Sequence, residues 1–162
     1  MTRRLTVLAC AAALSLGVFA SPASASGGAN PCKLLKGSEI VNALGGTVTS
    51  PTKGLTTAIS KSCDWKVAAS ADRPDGTLSV RVMTIGATAA YNGLKNQASL
   101  YVAVPQLGKA LYSQKTGALS LLKGSTYLTV QGVFLAVDPL PIHQVDVEPQ
   151  LISLIKIARK RI

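Results

Sequence analysis

The sequence predicts an α+β domain: an antiparallel sheet built from hairpins, with helices on one face. Two stretches show the period-two alternation of half-buried strands on either side of short turn sequences. Three other segments carry apolar residues at helical spacing and lie before, between and after the strand groups. The resulting order, roughly α-β-β-β-α-β-β-β-α, favours hairpin connections over parallel crossovers. No repeat is visible at the residue level.

The chain opens with "MTRRLTVLACAAALSLGVFASPASASGG", which reads as an export signal. Arg3 and Arg4 make a basic start, Leu5 to Ala20 an apolar run, and Ala23-Ser24-Ala25 a small-x-small cleavage site. Cleavage is expected after Ala25. Residues 1–25 are then the signal, 26–31 a flexible leader, and 32–162 a single α+β domain. Lipidation at Cys10 fits less well, because it would leave an apolar core of about five residues against the roughly 7–15 of an ordinary signal. No later segment approaches the roughly 20 apolar residues of a spanning helix, and "VFLAV" is far shorter. The expected location is secreted or cell-wall associated.

"PCKLLKGSEIVNALGG" reads as one turn followed by a short helix. Ser38 is the expected N-cap, Glu39 stands in the first turn, Ile40, Val41 and Leu44 share a face, and Gly45 ends the helix. "TVTSPTKGLTTAIS" predicts a short strand near Thr47–Thr49 and then a loop. In "SCDWKV", Cys63, Trp65 and Val67 alternate with Ser62, Asp64 and Lys66, a half-buried strand. The turn signal "ADRPDG" joins it to "TLSVRVMTI", where Leu78, Val80 and Val82 alternate with Ser79 and Arg81.

"ATAAYNGLKNQAS" places Ala87, Ala90, Tyr91, Leu94 and Ala98 at helical spacing. A loop holding "VPQLGKA" leads to a short strand, "ALYSQ". A second hairpin follows: "ALSLL", the turn "KGST", and "YLTVQGV". "DPLPIHQVD" is a Pro-stiffened loop. The final helix is capped near Asp146, with Pro149 in its first turn. Leu151, Leu154, Ile155, Ala158 and Ile162 form its apolar stripe, and Arg159 to Arg161 complement the dipole at its C-terminal end. A basic amphipathic helix can also lie on an anionic membrane, but the same stripe is what a core-closing helix needs.

With the signal removed, Cys32 and Cys63 are the only cysteines, and in an oxidising compartment a disulfide between them is expected. Two cysteines and one histidine fall short of a four-ligand zinc site without a carboxylate. A thiol nucleophile would depend on His143, the only histidine. Trp65 then packs beside the bridge or, as the alternative, offers its ring to a ligand in a cleft. With only Trp65, Phe134 and four tyrosines beyond the signal, the core is expected to be mainly aliphatic.

The chain carries 17 Lys and Arg against 7 Asp and Glu, a formal charge of +10; losing Arg3 and Arg4 would lower it to +8. That balance favours anionic partners such as wall polymers. The lysines are scattered and not interleaved with aromatic residues, which argues against nucleic acid. His143 has Asp138, Asp146 and Glu148 near it in sequence, but no G-x-S-x-G, phosphate loop, EF-hand loop or H-E-x-x-H is present. No cofactor, metal site or catalytic residue is expected. Trp65, Arg81 and Tyr91 are the candidate ligand-binding residues.

Pro31-Cys32 with Leu34-Leu35, then Leu44-Gly45, Cys63-Asp64-Trp65, a hairpin, Leu107-Gly108-Lys109-Ala110, a second hairpin and an amphipathic C-terminal helix form a further pattern. It resembles actinobacterial exported lipoproteins of unknown function with a "PC…C-x-W" arrangement. These are in turn distantly similar to the extracellular sensor domains of mycobacterial receptor kinases. The resemblance spans nearly all of Cys32 to Ile162. It implies an α+β domain with the paired cysteines bridged, and it carries no catalytic residues. Lys109 stands where the family often has an acid, and the family's lipidation cysteine is missing. The expected function is a non-enzymatic binding or sensor-like module of the cell envelope. The alternatives are a structural envelope protein adhering to anionic wall polymers through its basic surface and, third, a small hydrolase using His143.

Overall fold

A computed structural model describes residues 28–137 and 141–162 of the chain. The signal assigned to residues 1–25, Cys10, the start of the leader and Asp138 lie outside the described residues.

The chain enters through a 3-10 turn at Pro31–Lys33, where the Asn30 side chain accepts from the Cys32 N–H at 3.0 Å. Helix α1 follows at Gly37–Leu44. It starts one residue earlier than the Ser38 cap predicts: Lys36 is the N-cap, and the Glu39 carboxylate reaches back to the Lys36 N–H at 2.7 Å. This is one arm of a capping box and satisfies an otherwise orphaned donor. Gly45 ends the helix at φ 71°, a left-handed value that glycine adopts without steric cost. Ile40 and Leu44 are buried, whereas Val41, expected on the same face, is 36 % exposed.

The strands are β1 (Thr52–Thr56), β2 (Ser60–Val67) and β3 (Gly76–Met83), then β4 (Val102–Ala103), β5 (Ala110–Ser113), β6 (Ala118–Lys123), β7 (Thr126–Ala136) and β8 (His143–Gln144). Helix α2 (Ala87–Lys95) separates β3 from β4, and α3 (Glu148–Ala158) closes the chain. All strands pair antiparallel in the order β1-β2-β3-β7-β6-β5-β4, with β8 on the end of β7. The fold is therefore the α+β arrangement of hairpins that the sequence predicts. The strand expected near Thr47–Thr49 reduces to a single bridge, Val48 to Val67, and the true edge strand lies in the stretch expected to be loop. β8 likewise forms within the Pro-stiffened loop, pairing Gln144 with Leu135 and His143 with Ala136.

Register decides which side chains share a face. Cys63, Val80, Val130 and Leu119 are successive partners across β2, β3, β7 and β6, and all four are fully buried. They belong to the main core with Trp65, Leu78 and Leu128, closed by Ile40 and Leu44 of α1 and by Leu151, Leu154, Ile155 and Ala158 of α3. The apolar stripe of α3 is thus spent on packing. Gly76 stands where any Cβ would run into Phe134 and the Val133 carbonyl, so the aromatic ring can close over β3 only at a glycine. α1 and α3 cover this face as expected; α2 lies on the other one. There Ala87 and Tyr91 form a second cluster with Leu111, Leu122 and Tyr127. Among the described residues, no helix is long and apolar enough to cross a membrane.

Cys32 and Cys63 form a disulfide with a Cα–Cα distance of 5.1 Å, tying the entry turn to β2. The C-terminus is held by polar contacts. Arg161 donates to both Glu39 carboxylate oxygens, at 2.8 and 2.6 Å, and to the Leu34 carbonyl at 2.7 Å. Lys123 Nζ donates to the Arg159 and Ile162 carbonyls at 2.8 and 2.9 Å. The basic C-terminus is therefore partly committed to fixing α3 against α1 and the β6–β7 turn.

Candidate functional site

The side of the sheet opposite the main core is built from the alternate residues of the same strands. Two rows of side chains cross it. One runs Asp64, Ser79, Gln131, Ala118 and the other Ser62, Arg81, Thr129, Ser120, each from β2 through β3 and β7 to β6. Seven of these eight residues are polar, a direct consequence of the strict alternation in β2 and β3. A third row, Met83, Tyr127 and Leu122, is apolar, and α2 packs beside it. Because α2 covers only that end, the polar rows stay open and form the floor of a trough of about 480 Å³. Leu55 of β1 borders it on one side, and Leu94 and Tyr101 on the α2 side.

Most of the floor is satisfied internally. Ser79 donates to Asp64 Oδ1 at 2.6 Å, and Ser62 to the Leu55 carbonyl at 3.3 Å. Tyr127 donates to Ser120 Oγ at 2.9 Å, with Thr129 3.3 Å from the same oxygen. Gln131 Nε2 donates to the Thr116 carbonyl at 2.9 Å. Ser62 and Ser120 are buried despite lying on the open face, which reflects its concavity. Arg81 stands in the middle of its row, exposed, and makes no hydrogen bond or ion pair with the described residues. Its planar fork of five donors is available to a ligand.

The three candidate residues thus part company. Arg81 lines the trough. Tyr91 is buried behind its α2 end, packed in the cluster with Tyr127, and does not line it. Trp65, weighed as a ring open to a ligand, is 1 % exposed in the main core on the opposite side of the sheet. Its position beside Cys63, with a partner row from β3, leaves no ring face free. Asp64, Thr129 and Gln131 were not singled out from the sequence. The signal for them was the polar half of the same alternation that marks the core.

Two other hollows lie on the helical side. A groove of about 360 Å³ between α1 and α3 includes Glu39, whose carboxylate is already held by Arg161. A hollow of about 330 Å³ includes Arg73, whose guanidinium is committed to backbone carbonyls. Burial lowers the Arg73 pKa, with the nearby Asp75 carboxylate acting in the other direction. His143 is exposed on β8, its Nδ1 3.2 Å from the Pro141 carbonyl oxygen. Asp146 accepts from Tyr112 at 2.8 Å and from the Glu148 N–H at 3.0 Å. Burial, and then the Asp146 carboxylate, pushes the Tyr112 phenol above the ordinary tyrosine range. Val147 is the N-cap of α3. Asp146 stands one residue before it, where its carboxylate accepts from the first helical N–H and from Tyr112 rather than orienting His143. Among the described residues, no group of three or more His, Cys, Asp or Glu is placed to hold a metal ion.

Comparison with known protein families, curated proteins and solved structures returns no match.

Proposed function

We propose that this chain is an exported, non-enzymatic binding module of the cell envelope that takes its ligand on the open polar face of the sheet. One observation carries the reading: two rows of polar side chains pave the centre of the sheet, and an unpaired arginine stands among them. A solvated face alone needs only scattered polar residues. Here the floor is concave, its hydroxyls are ordered by hydrogen bonds, and its one basic side chain among the described residues is a strong donor without a partner. Export is supported by the basic-apolar-small pattern of the first 25 residues and by the Cys32–Cys63 bridge, which suits an oxidising compartment. Kinship with the "PC…C-x-W" exported proteins belongs to the same proposal.

The rival reading, adhesion to anionic wall polymers through general charge, draws support from the surplus of basic residues over acids. The two are separated by retention on isolated cell envelope. Arg81→Gln and Lys160→Gln each remove one exposed charge, but only the first touches the trough. A trough binder loses retention with Arg81→Gln and keeps it with Lys160→Gln. Equal loss in both, growing with ionic strength, would support adhesion instead.

A further inference from the structure

The chemistry of the trough narrows the ligand. We infer that it binds a small hydroxylated carboxylate carrying a single negative charge, with Arg81 holding the carboxylate. This inference rests on the reading of the trough as the binding face.

Among the described residues, Arg81 is the only basic side chain lining the trough, so it provides for one anionic group. Its fork matches a carboxylate in two parallel hydrogen bonds. Asp64 lies one strand away in the adjacent row, and Ser79 occupies only its Oδ1. The remaining oxygen accepts a hydroxyl from the ligand and repels a second negative charge. Gln131 is similar: its Nε2 is used by the Thr116 carbonyl, which leaves its Oε1 as an acceptor. The uncommitted groups on the floor thus include one cationic fork and two acceptors, which complement one carboxylate and O–H donors. Met83, Leu94 and Tyr101 make an apolar border beside this floor. A sugar acid, with hydroxyls at its edge and C–H groups on its ring face, has that division of surface. A volume of about 480 Å³ lies within the roughly 300–1,000 Å³ of small-molecule sites.

The test is a titration of the disulfide-bonded protein, followed by backbone amide shifts, with glucuronate, glucose, acetate and glucose 6-phosphate as separate probes. Glucuronate is expected to move the amides of Ser62, Ser79, Arg81, Thr129 and Gln131 and to saturate. Glucose, which lacks the charge, and acetate, which lacks the hydroxyls, should bind at least tenfold more weakly. Arg81→Gln should weaken glucuronate roughly tenfold or more, the size expected for hydrogen bonds to a charged group. Glucose 6-phosphate should bind more weakly than glucuronate, and Asp64→Asn should narrow that gap. Equal binding of glucose and glucuronate, an unchanged affinity in Arg81→Gln, or shifts away from these rows would overturn the assignment. If glucuronate fails while retention on isolated envelope still depends on Arg81, the ligand class is wrong and the binding face stands. If neither depends on Arg81, both fall.

Discussion

The guanidinium of Arg73 lies 4.2 Å from the centroid of the Phe134 ring. Its nitrogens also donate to the carbonyls of Leu44 at 3.3 Å, Ala68 at 2.9 Å and Pro74 at 2.6 Å. One buried cation thus closes the C-terminal end of α1, the loop after β2 and the edge of the core. No carboxylate pairs with it among the described residues; the carbonyls and the ring stand in for one. Arg73→Ala should cost about 3 kcal/mol in chemical denaturation, because it leaves several carbonyls unmet and removes a ring contact. Arg73→Lys should recover only part of this, since an ammonium cannot span the carbonyls as the planar fork does.

The disulfide closes a sequence separation of 31 residues. Replacing Cys32 and Cys63 together by serine should destabilise the domain by about 4 kcal/mol in the chain-entropy model. Denaturant midpoints with and without reductant read the same effect. Cys63 is 0 % exposed, so alkylation after reduction should follow unfolding at that position.

Trp65 belongs to the core. Trp65→Ala should cost about 3–5 kcal/mol. Its fluorescence should be blue-shifted, resist iodide quenching, and stay unchanged when a ligand fills the trough on the other side of the sheet. A ligand-dependent change in that emission would place the ring elsewhere.

Hydrogen bonding to Arg161 holds the Glu39 carboxyl below its ordinary value, with the Lys36 N–H adding to the effect. The sign follows from linkage. On acidification the unfolded chain takes up the Glu39 proton first. The stabilisation is therefore present above the ordinary carboxylate pKa and is lost as pH falls through the lower folded value. The pair is partly exposed, so its worth is under about 1 kcal/mol. Glu39→Gln should flatten that acidic part of the stability curve and leave stability at neutral pH lowered by the same small amount.

The sequence revealed β2, β3 and β7 because apolar and polar residues alternate along them, and β6 because the short apolar run "ALSLL" meets the turn "KGST". It also revealed the stripe of α3, whose apolar residues repeat at helical spacing. It did not reveal β1, because Thr52–Thr56 is an exposed edge held by pairing with β2 and not by a buried pattern of its own. The sequence reading put the helices on one face of the sheet, whereas α2 covers the other. Ala87, Tyr91 and Leu94 suit either side of the sheet, and the choice is made by Leu111, Leu122 and Tyr127 arriving from three other strands. The candidate site was legible only as single residues. Arg81 stood out as a charge on a strand, but Thr129 and Gln131 became its neighbours through the β3–β7 pairing, which joins segments about fifty residues apart and leaves no local trace.

The most direct test of the account maps the binding face without assuming a ligand. Amide shifts of the labelled protein are followed on titration with solubilised envelope fragments. Shifts are expected to concentrate on Ser62, Asp64, Ser79, Arg81, Thr129 and Gln131 and to vanish in Arg81→Gln. Shifts spread over the scattered lysines and unchanged in Arg81→Gln would contradict it.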